Sequence, residues 1–364
     1  MNLIKSTAAE LLSSVSKVTG IIGKSSPLPI IQNLFIAASN GSHRFIGSDV
    51  EIQVTASASL GGEGGMETTV QAARFVGLLK SFFADQVVTL SSDAGKLTLK
   101  AGRSRFTLQT MPAQDFPMFL ETPDTEAFEV PERALAMLID QVSYAMADGD
   151  VRQFLNGMFV EVKNEKLFAV ASTGHRLAIS HSPLLGVKDQ SAIIPRKAVL
   201  ELRKLLGSSD DPVSIRLSLN HARFDFKGVQ FLTRLVSGKY VPYERAIPAG
   251  LPNEAMVNRQ VLLSALRRSA LVLDEKVKAV RFKFAEGLLT IDSRSGAEEG
   301  SQEIEIAYAG PEVTIGMPVA QVADGLSNFA HDMVRLQFDG ADKAMLLTYG
   351  ELPDWKYVVS PMRI

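Results

Sequence analysis

The chain has 364 residues, which is long for one domain and favours two or three. Apolar residues make up 46% and charged residues 21% of it, the balance of a folded globular protein. Cysteine is absent, which excludes a disulfide framework, thiolate zinc or iron–sulfur sites and a cysteine nucleophile. The sequence shows no targeting segment and no run fit to cross a bilayer, so we expect a cytoplasmic protein without membrane contact.

Six segments have apolar residues spaced three and four apart, the period of a helix with one buried face. They cover residues 3–18, 72–83, 131–146, 195–206, 258–273 and 318–329, and three of them open with a proline. Elsewhere apolar and polar residues alternate, and turn residues such as Asn164 and Gly287 separate the alternating stretches. We therefore predict an α+β protein with antiparallel hairpins.

The six predicted helices form three pairs at a regular interval. The first helices of the pairs begin near residues 7, 131 and 258, and the second helices begin at residues 72, 195 and 318. An interval of 123 to 127 residues predicts three similar domains, each with two helices packed on an antiparallel sheet. We place these domains at residues 1–122, 127–246 and 252–364.

Charge is divided unevenly between the helices and the rest of the chain. The helical segments, extended to residue 24 in the first and to residue 276 in the fifth, carry +7, and everything else carries −9. Ordinary solvated helix faces would explain this split. If the repeat brings the helices onto one common surface, however, that surface would attract a polyanion.

Short motifs of known chemistry have simpler explanations in this chain. Residues 20–25 end in Gly-Lys-Ser like a phosphate loop, but the first glycine of that pattern would fall at Val18 and the segment follows a helix. The five histidines lack metal-ligand spacing, so we expect no metal site. Residues 171–178, where small, basic and apolar types mix, are most simply a hairpin with a satisfied histidine.

Several motifs nevertheless occur in the order found in one known family. They are Asp150-Val151-Arg152, Leu155-Asn156-Gly157-Met158, residues 173–178 (Thr-Gly-His-Arg-Leu-Ala), residues 194–197 (Ile-Pro-Arg-Lys), residues 357–363 (Tyr-Val-Val-Ser-Pro-Met-Arg), and shorter matches at residues 28–34, 48–51 and 102–106. Together they resemble the bacterial DNA polymerase III beta subunit family, the sliding clamps, from end to end.

The resemblance implies a DNA clamp fold in a head-to-tail dimeric ring, with helices around the hole and sheets on the rim. It implies a processivity factor without catalytic activity or cofactor. The partners that it implies are double-stranded DNA bound independently of sequence, the DNA polymerase III alpha subunit, an ATP-driven clamp loader complex, other polymerases, and mismatch-repair and ligase-type proteins. These expectations agree with the threefold repeat and with the division of charge.

Site residues are carried over from the family position by position. The resemblance implies a peptide-binding pocket whose wall is Leu155, Ser172, Thr173, Gly174, His175, Arg176, Leu177, Pro242, Ile247, Val358, Ser360, Pro361 and Met362. It implies DNA contact at Lys24, with Arg196 and Lys197 as further candidates. It implies a dimer interface formed by Arg74, Leu78, Phe82, Arg103, Arg105, Phe106 and Leu108 on one edge and by Leu271, Val272, Glu298, Glu299 and Glu303 on the other.

The chain departs from the family pattern at three places. Gln153 and Phe154 stand where two tyrosines are frequent, Thr173 stands where an aspartate is common, and Gly149 replaces a polar residue that can touch DNA. These departures bear on peptide preference and DNA contact rather than on the fold.

Two other interpretations stay open from the residues alone. An enzyme, for example a hydrolase that uses His175, would need a nucleophile or metal set that the sequence does not display. A scaffold that never touches DNA would show no salt-dependent DNA association, whereas phosphate contacts weaken steeply with salt.

Overall fold

The structure is a computed structural model that describes residues 4–23, 26–39, 41–119, 125–273, 279–329, 331–349 and 354–363. Its helices are α1 (Ala8–Thr19), α2 (Ala72–Lys80), α3 (Glu132–Val142), α4 (Arg196–Leu205), α5 (Arg259–Ala270) and α6 (Val319–Ser327). Its strands are β1 (Ile4–Thr7), β2 (Asn33–Ser39), β3 (Ser42–Ser48), β4 (Ile52–Ser59), β5 (Gly65–Gln71), β6 (Val87–Asp93), β7 (Lys96–Ala101), β8 (Ser104–Gln109), β9 (Ala127–Pro131), β10 (Gly157–Lys163), β11 (Lys166–Ser172), β12 (Arg176–Pro183), β13 (Gln190–Pro195), β14 (Pro212–Leu217), β15 (His221–Phe226), β16 (Val229–Arg234), β17 (Asn253–Asn258), β18 (Ala279–Ala285), β19 (Leu288–Ser295), β20 (Glu298–Glu305), β21 (Val313–Pro318), β22 (Met333–Phe338), β23 (Met345–Thr348) and β24 (Trp355–Val359).

One order of elements, a strand, a helix and three strands, occurs six times along the chain. We call each occurrence a module, so that the first module runs from β1 to β4 and the last from β21 to β24. The two modules of a pair exchange their first strands: β5 pairs with β2, and β1 pairs with β6. The three similar domains predicted from the helix interval are therefore three pairs of modules.

Contacts divide the chain into two compact units. Unit 1 comprises Met1–Arg133 and Leu200–Leu235, and unit 2 comprises Ala134–Val199 and Val236–Ile364. Unit 1 contains a four-stranded sheet, β1-β6-β7-β8, and an eight-stranded sheet, β5-β2-β3-β4-β16-β15-β14-β9. Unit 2 contains a four-stranded sheet, β20-β19-β18-β21, and an eight-stranded sheet, β13-β10-β11-β12-β24-β23-β22-β17. All the pairings are antiparallel, as the sequence predicts.

Each eight-stranded sheet joins two four-stranded halves through the last strands of two modules. The joint is β4 with β16 in unit 1 and β12 with β24 in unit 2. The last strands of the two remaining modules, β8 and β20, lie at sheet edges. Four modules thus pair their last strands within the described residues, and two leave them at an edge.

The first helix begins later than the apolar period predicts. The period starts at residue 3, but Ile4–Thr7 forms β1 and pairs with β6. Thr7 then caps α1, because its hydroxyl accepts the N–H of Glu10 at 3.2 Å while the Glu10 carboxylate accepts the N–H of Thr7 at 3.1 Å. This reciprocal cap fixes the start of the helix at Ala8.

The three prolines expected in first helical turns instead end strands. Pro131, Pro195 and Pro318 are the last residues of β9, β13 and β21, and a helix begins at the next residue in each case. These are edge strands, where a missing N–H costs no hydrogen bond of the sheet. The third helix also ends at Val142, earlier than predicted, and a 3-10 turn continues the chain.

In each unit the helices cover sheets with an apolar stripe. In unit 1, α1 packs against α2, β3 and β4 and buries Leu11, Val15 and Val18. In unit 2, α5 packs against α6, β19 and β20 and buries Leu262 and Leu266. Such stripes stabilise both units, since a fully buried leucine or valine contributes about 1.5–3 kcal/mol.

One carboxylate is buried in unit 1 with its charge matched. The side chain of Glu132 is 1% exposed and accepts hydrogen bonds from Lys227 Nζ at 2.6 Å, the N–H of Gly207 at 2.8 Å and the Ser209 hydroxyl at 2.7 Å. Burial alone would raise the pKa of Glu132, but these three donors lower it to about 2. A carboxyl whose pKa is lower in the folded than in the unfolded state stabilises the fold at pH values above its unfolded-state pKa. That contribution is lost as the pH falls towards the folded-state pKa.

We expect Glu132→Gln to lower the free energy of unfolding at pH 7 by about 2–3 kcal/mol, because Lys227 loses its buried partner. The variant should also lose less stability than wild type between pH 4.5 and 2, the window set by the depressed pKa of Glu132. Urea denaturation across this range measures both effects. The control is Glu129→Gln on β9, whose side chain is exposed and whose loss should change stability by less than about 0.5 kcal/mol. Equal acid sensitivity of Glu132→Gln and wild type would contradict the assignment.

Candidate functional site

Residues 171–178, which mix small, basic and apolar types in the sequence, run from the end of β11 through a turn at residues 173–175 into β12. The Ser172 hydroxyl donates to the carbonyl of Arg176 at 2.8 Å and accepts the N–H of Gly174 at 3.0 Å. Gly174 has a φ of 90°, a conformation that favours glycine. The turn is therefore held by its own side chains, and His175 is exposed at its tip.

Next to this turn, β12 joins β24. Leu177 pairs with Val358, and the carbonyl of His175 accepts the N–H of Ser360 at 2.9 Å. Leu177 and Val358 belong to one buried apolar cluster, and Ile247 packs against it. Two paired strands and one connecting segment of unit 2 thus bring together three of the predicted wall residues, Leu177, Val358 and Ile247.

The other predicted wall residues lie around this cluster. Leu155 is buried and its carbonyl accepts the N–H of Ala147 at 3.0 Å, while its neighbour Phe154 packs against the cluster. Pro242 is exposed directly before the 3-10 turn Tyr243–Ala246. Met362 follows Pro361 beyond β24; its N–H donates to the carbonyl of Gly316 at 2.9 Å and its side chain is 42% exposed.

Arg152 supports the turn, a role that the sequence did not predict. Its guanidinium donates to the carbonyl of Thr173 at 3.2 Å and to the carboxylate of Asp150 at 3.0 and 2.9 Å. These hydrogen bonds lower the pKa of Asp150 to about 2. A Cβ at Gly174 would lie 3.0 Å from the same guanidinium, so glycine also makes room for it. The Asp150-Val151-Arg152 motif is visible in the sequence, but its contact with the turn appears only in the fold.

Arg176 links the pocket strand to a helix. Its side chain is 14% exposed and donates to Asp324 of α6 at 2.6 Å. Tyr357 of β24 is buried with its hydroxyl donating to the carbonyl of Gln321 at 2.9 Å. Burial raises the pKa of Tyr357 far above its usual value, although Arg176 opposes that shift. Arg176 therefore has a structural role besides lining the turn.

The predicted interface residues of the first domain lie along β8 and the end of α2. Arg105 and Phe106 are exposed on β8, and Arg103 is exposed directly before it. The rings of Phe82 and Phe106 meet edge to face at 6.1 Å between centroids. Phe83, which is not among the predicted interface residues, follows Phe82 and is 82% exposed. Arg74 is exposed on α2, and Leu78 and Leu108 are half-buried.

The predicted interface residues of the third domain lie along β20 and the end of α5. Glu298, Glu299 and Glu303 are exposed on β20. Leu271, just after α5, is 85% exposed, whereas Val272 is half-buried. Arg268 Nε donates to Gln302 at 2.6 Å and ties the helix to the strand. This edge is acidic and the β8 edge is basic.

Of the predicted DNA contacts, Lys24 lies outside the described residues. Arg196, at the start of α4, is half-buried; it donates to the carbonyl of Met146 at 3.2 Å and lies 3.9 Å from Asp148. Lys197 is exposed. Other exposed cations on the described helices are Arg74 and Lys80 of α2, Arg133 of α3, Lys204 of α4, and Arg267 and Arg268 of α5.

Within the ranges that the structure describes, no group of three or more histidine or carboxylate side chains could hold a metal ion. No helix in the same ranges is long and apolar enough to cross a membrane.

Family models of the DNA polymerase III beta subunit match almost the whole chain. The model of the N-terminal domain matches residues 1–120, that of the central domain residues 129–242, and that of the C-terminal domain residues 244–363. The beta sliding clamp of Pseudomonas putida is 35% identical over 359 residues, which cover 97% of this chain and 98% of the relative. The beta sliding clamp of Escherichia coli K12 is 31% identical over 358 residues, with the same coverage.

Solved structures agree with these sequence relationships. The DNA polymerase III subunit beta of Pseudomonas aeruginosa superposes with a TM-score of 0.95 at 33% identity and covers 99% of this chain and 100% of its own. A sliding clamp of the same species bound to griselimycin gives a TM-score of 0.96 at 33% identity and covers 99% of both chains. The chain therefore belongs to the DNA polymerase III beta subunit family, the beta sliding clamps, which are non-catalytic processivity subunits of DNA replication.

Proposed function

We propose that two copies of this chain close a head-to-tail ring around duplex DNA and tether other DNA enzymes to it. The observation that carries the proposal is the pair of edge strands β8 and β20. In four of the six modules the last strands already pair, β4 with β16 and β12 with β24. By the same pattern, β8 of one copy is the partner of β20 in another. Two such joints give the last strand of every module a partner and close a dimer.

The two edges complement each other in charge and in apolar surface. Arg103 and Arg105 on one edge face three glutamates on the other, at positions 298, 299 and 303. Phe106 and Leu271 offer exposed apolar surface at the same edges. Opposite charges set the register and speed the encounter, while apolar contact contributes most of the affinity.

Double-stranded DNA would be held by the cations of the helices. Lys24, Arg196 and Lys197 are the proposed contacts, together with exposed residues such as Arg267 of α5. Contacts to phosphate fix position but carry no sequence information directly. Binding would therefore be independent of sequence, weak and sensitive to salt.

The pocket around Leu177 would bind short peptides of partner proteins. Its apolar wall of Leu177, Ile247 and Val358 lies beside the exposed polar tip at His175, a combination that suits a peptide with one or two apolar anchors. The proposed owners of such peptides are the DNA polymerase III alpha subunit, other polymerases, and mismatch-repair and ligase-type proteins. An ATP-driven clamp loader complex would open the ring and place it on DNA.

Deleting residues 362–364 is expected to weaken binding of a peptide of the glutamine-leucine-phenylalanine type by about 100-fold or more, because the anchor loses one apolar wall of its pocket. Isothermal calorimetry measures the loss. Since the Met362 side chain is 42% exposed, the fold and the dimer should persist. The matched control is Met333→Ala on β22, where the methionine is equally exposed, and peptide binding should not change. Unchanged affinity after the deletion would refute the placement of the pocket.

We also propose the domain limits 1–122, 127–246 and 252–364 and a place in the cytoplasm, where chromosomal DNA and the polymerases are found. The helix interval and the residue ranges of the family models support the domain limits.

A further inference from the structure

A cavity of about 360 Å³ lies in unit 2, between the eight-stranded sheet and the connecting segment of residues 243–247. Its sheet side includes Lys163, Lys166, Lys356 and Ile179, and its other side includes Tyr243 and Ile247. We call it the lysine cavity. None of its three lysines belongs to the predicted peptide pocket.

The lysine cavity continues the proposed peptide pocket along two strands. Leu177 pairs with Val358 at the pocket, and two residues further on Ile179 pairs with Lys356 at the cavity. Alternate residues of a strand share one face, so Leu177, Ile179 and His181 form a row from pocket to cavity. Ile247 packs on the apolar cluster of the pocket and also lines the cavity. The row from Leu177 to His181 is about 13 Å long, and roughly four residues of an extended peptide span it.

The lining of the cavity carries more positive than negative charge. Its lining carries three ammonium groups and two carboxylates, those of Glu244 and Asp354. Glu244 is engaged by Lys163 at 3.3 Å, and the nearby carboxylate of Glu161 accepts the hydroxyl of Tyr243 at 2.9 Å. Asp354 is 62% exposed and lies 3.6 Å from His181. Lys166 and Lys356 thus face the cavity without a carboxylate of their own among the described residues.

His181 lines the cavity among these charged groups. Its side chain is 16% exposed and lies 3.5 Å from Lys166 Nζ. Burial, Lys166 and Lys356 lower the pKa of His181 against the opposing pull of Asp354. The imidazole is therefore mostly neutral at pH 7 and adds little charge to the cavity.

We propose that the lysine cavity binds an acidic side chain of the same extended peptide whose apolar anchors fill the Leu177 pocket. This inference rests on the proposed function of that pocket. The carboxylate would lie between Lys166 and Lys356, with the methylene groups of its side chain against Ile179. Partners that carry an aspartate or glutamate about four residues from the apolar anchor would then be preferred over neutral ones.

The test compares neutral and acidic versions of one peptide by calorimetry at low salt. The parent is a peptide of the glutamine-leucine-phenylalanine type flanked by serine and alanine. One aspartate is placed about three, four or five residues from the phenylalanine, on its amino side in one set and on its carboxyl side in the other. In at least one position the acidic peptide should bind wild type about fivefold tighter than the parent.

The double variant Lys166→Gln with Lys356→Gln should reduce that preference to about one while binding the parent as wild type does. Lys96→Gln on β7 removes one exposed charge that does not line the cavity, and it should keep the preference. An acidic peptide that binds no tighter in any position, or a preference that survives in the double variant, would overturn the lysine cavity alone. Failure of the neutral parent to bind wild type would instead overturn the peptide pocket itself.

Discussion

Leu271→Ala with Val272→Ala is expected to convert the dimer into monomers. Leu271 is 85% exposed in the single chain, so its side chain is available to a partner surface. Burying it against β8 and the end of α2 would contribute about 2–3 kcal/mol at each joint, and Val272 adds to this. Exposed ion pairs such as those between Arg105 and the glutamates of β20 contribute only about 0–1 kcal/mol each. The apolar loss should therefore dominate.

Sedimentation equilibrium at decreasing concentration measures the change, and the dissociation constant should rise by about 100-fold or more. Leu219→Ala is the matched control, because Leu219 is 91% exposed in the turn between β14 and β15 and belongs to neither β8 nor β20. It removes the same side chain and should leave the dimer intact. If the double variant stays as dimeric as wild type, or if Leu219→Ala dissociates equally, the joint between β8 and β20 is wrongly assigned.

The helices were predictable from the sequence because each has one apolar stripe that must be buried. Their ends were less predictable, since they depend on single hydrogen bonds such as the Thr7 cap. Alternation over residues 44–54 likewise predicts one strand, whereas the structure breaks this stretch into β3 and β4. There the Asp49 carboxylate accepts the N–H groups of Glu51 and Ile52, and Val50 has a φ of 74°. Alternation of apolar residues continues through so short a turn and gives no sign of it.

Strand partners were beyond the reach of the sequence pattern. Periodicity shows which face of a strand is buried, but β1 could pair with any neighbour of the same pattern, and only packing selects β6. The exchange of first strands between modules and the joints β4–β16 and β12–β24 therefore appear only in the fold. The proposed reason for a dimer also appears only there: among the described strands, the last strands of two of the six modules have no partner.

The candidate site was predicted in part for similar reasons. Residues 171–178 are distinctive in the sequence because small, basic and apolar types mix at the junction of two predicted strands, and the structure places a turn at residues 173–175 beside the apolar cluster. The hydrogen bond from Arg152 to Thr173 and the ion pair between Arg176 and Asp324 join residues 21 and 148 positions apart. Contacts of that range have no local signature. The lysine cavity collects residues from four separate segments and was invisible for the same reason.

A ring without sequence-specific contacts should stay on DNA by enclosure. We expect the protein, placed on a circular plasmid by its loader and ATP, to remain with the circle during gel filtration at a salt concentration that abolishes phosphate binding. Cutting the circle once should release it, because the ring slides off the ends. Direct binding to the surface of DNA would instead be lost from both forms at high salt and retained on both at low salt.

The absence of cysteine allows this prediction to be made sharper. In a variant with Arg103→Cys and Glu303→Cys, each joint of the ring would bring the two thiols together. The register of either internal joint, transferred to β8 and β20, places them opposite each other or on a diagonal, about 5–8 Å apart between Cβ atoms. A bismaleimide can bridge that distance and lock both joints. Arg103→Cys alone is the control, because each of its joints carries a thiol on one side only.

The locked ring should survive on the intact circle even in detergent that unfolds the single-cysteine control, and it should still be lost once the circle is cut. Enclosure predicts this combination because a covalently closed loop leaves a circle only through a break in one of the two. Retention of the locked protein on the linear form would mean that it grips DNA by its surface, and loss from the intact circle would mean that it never encloses the duplex. Either result would overturn the ring formed through β8 and β20.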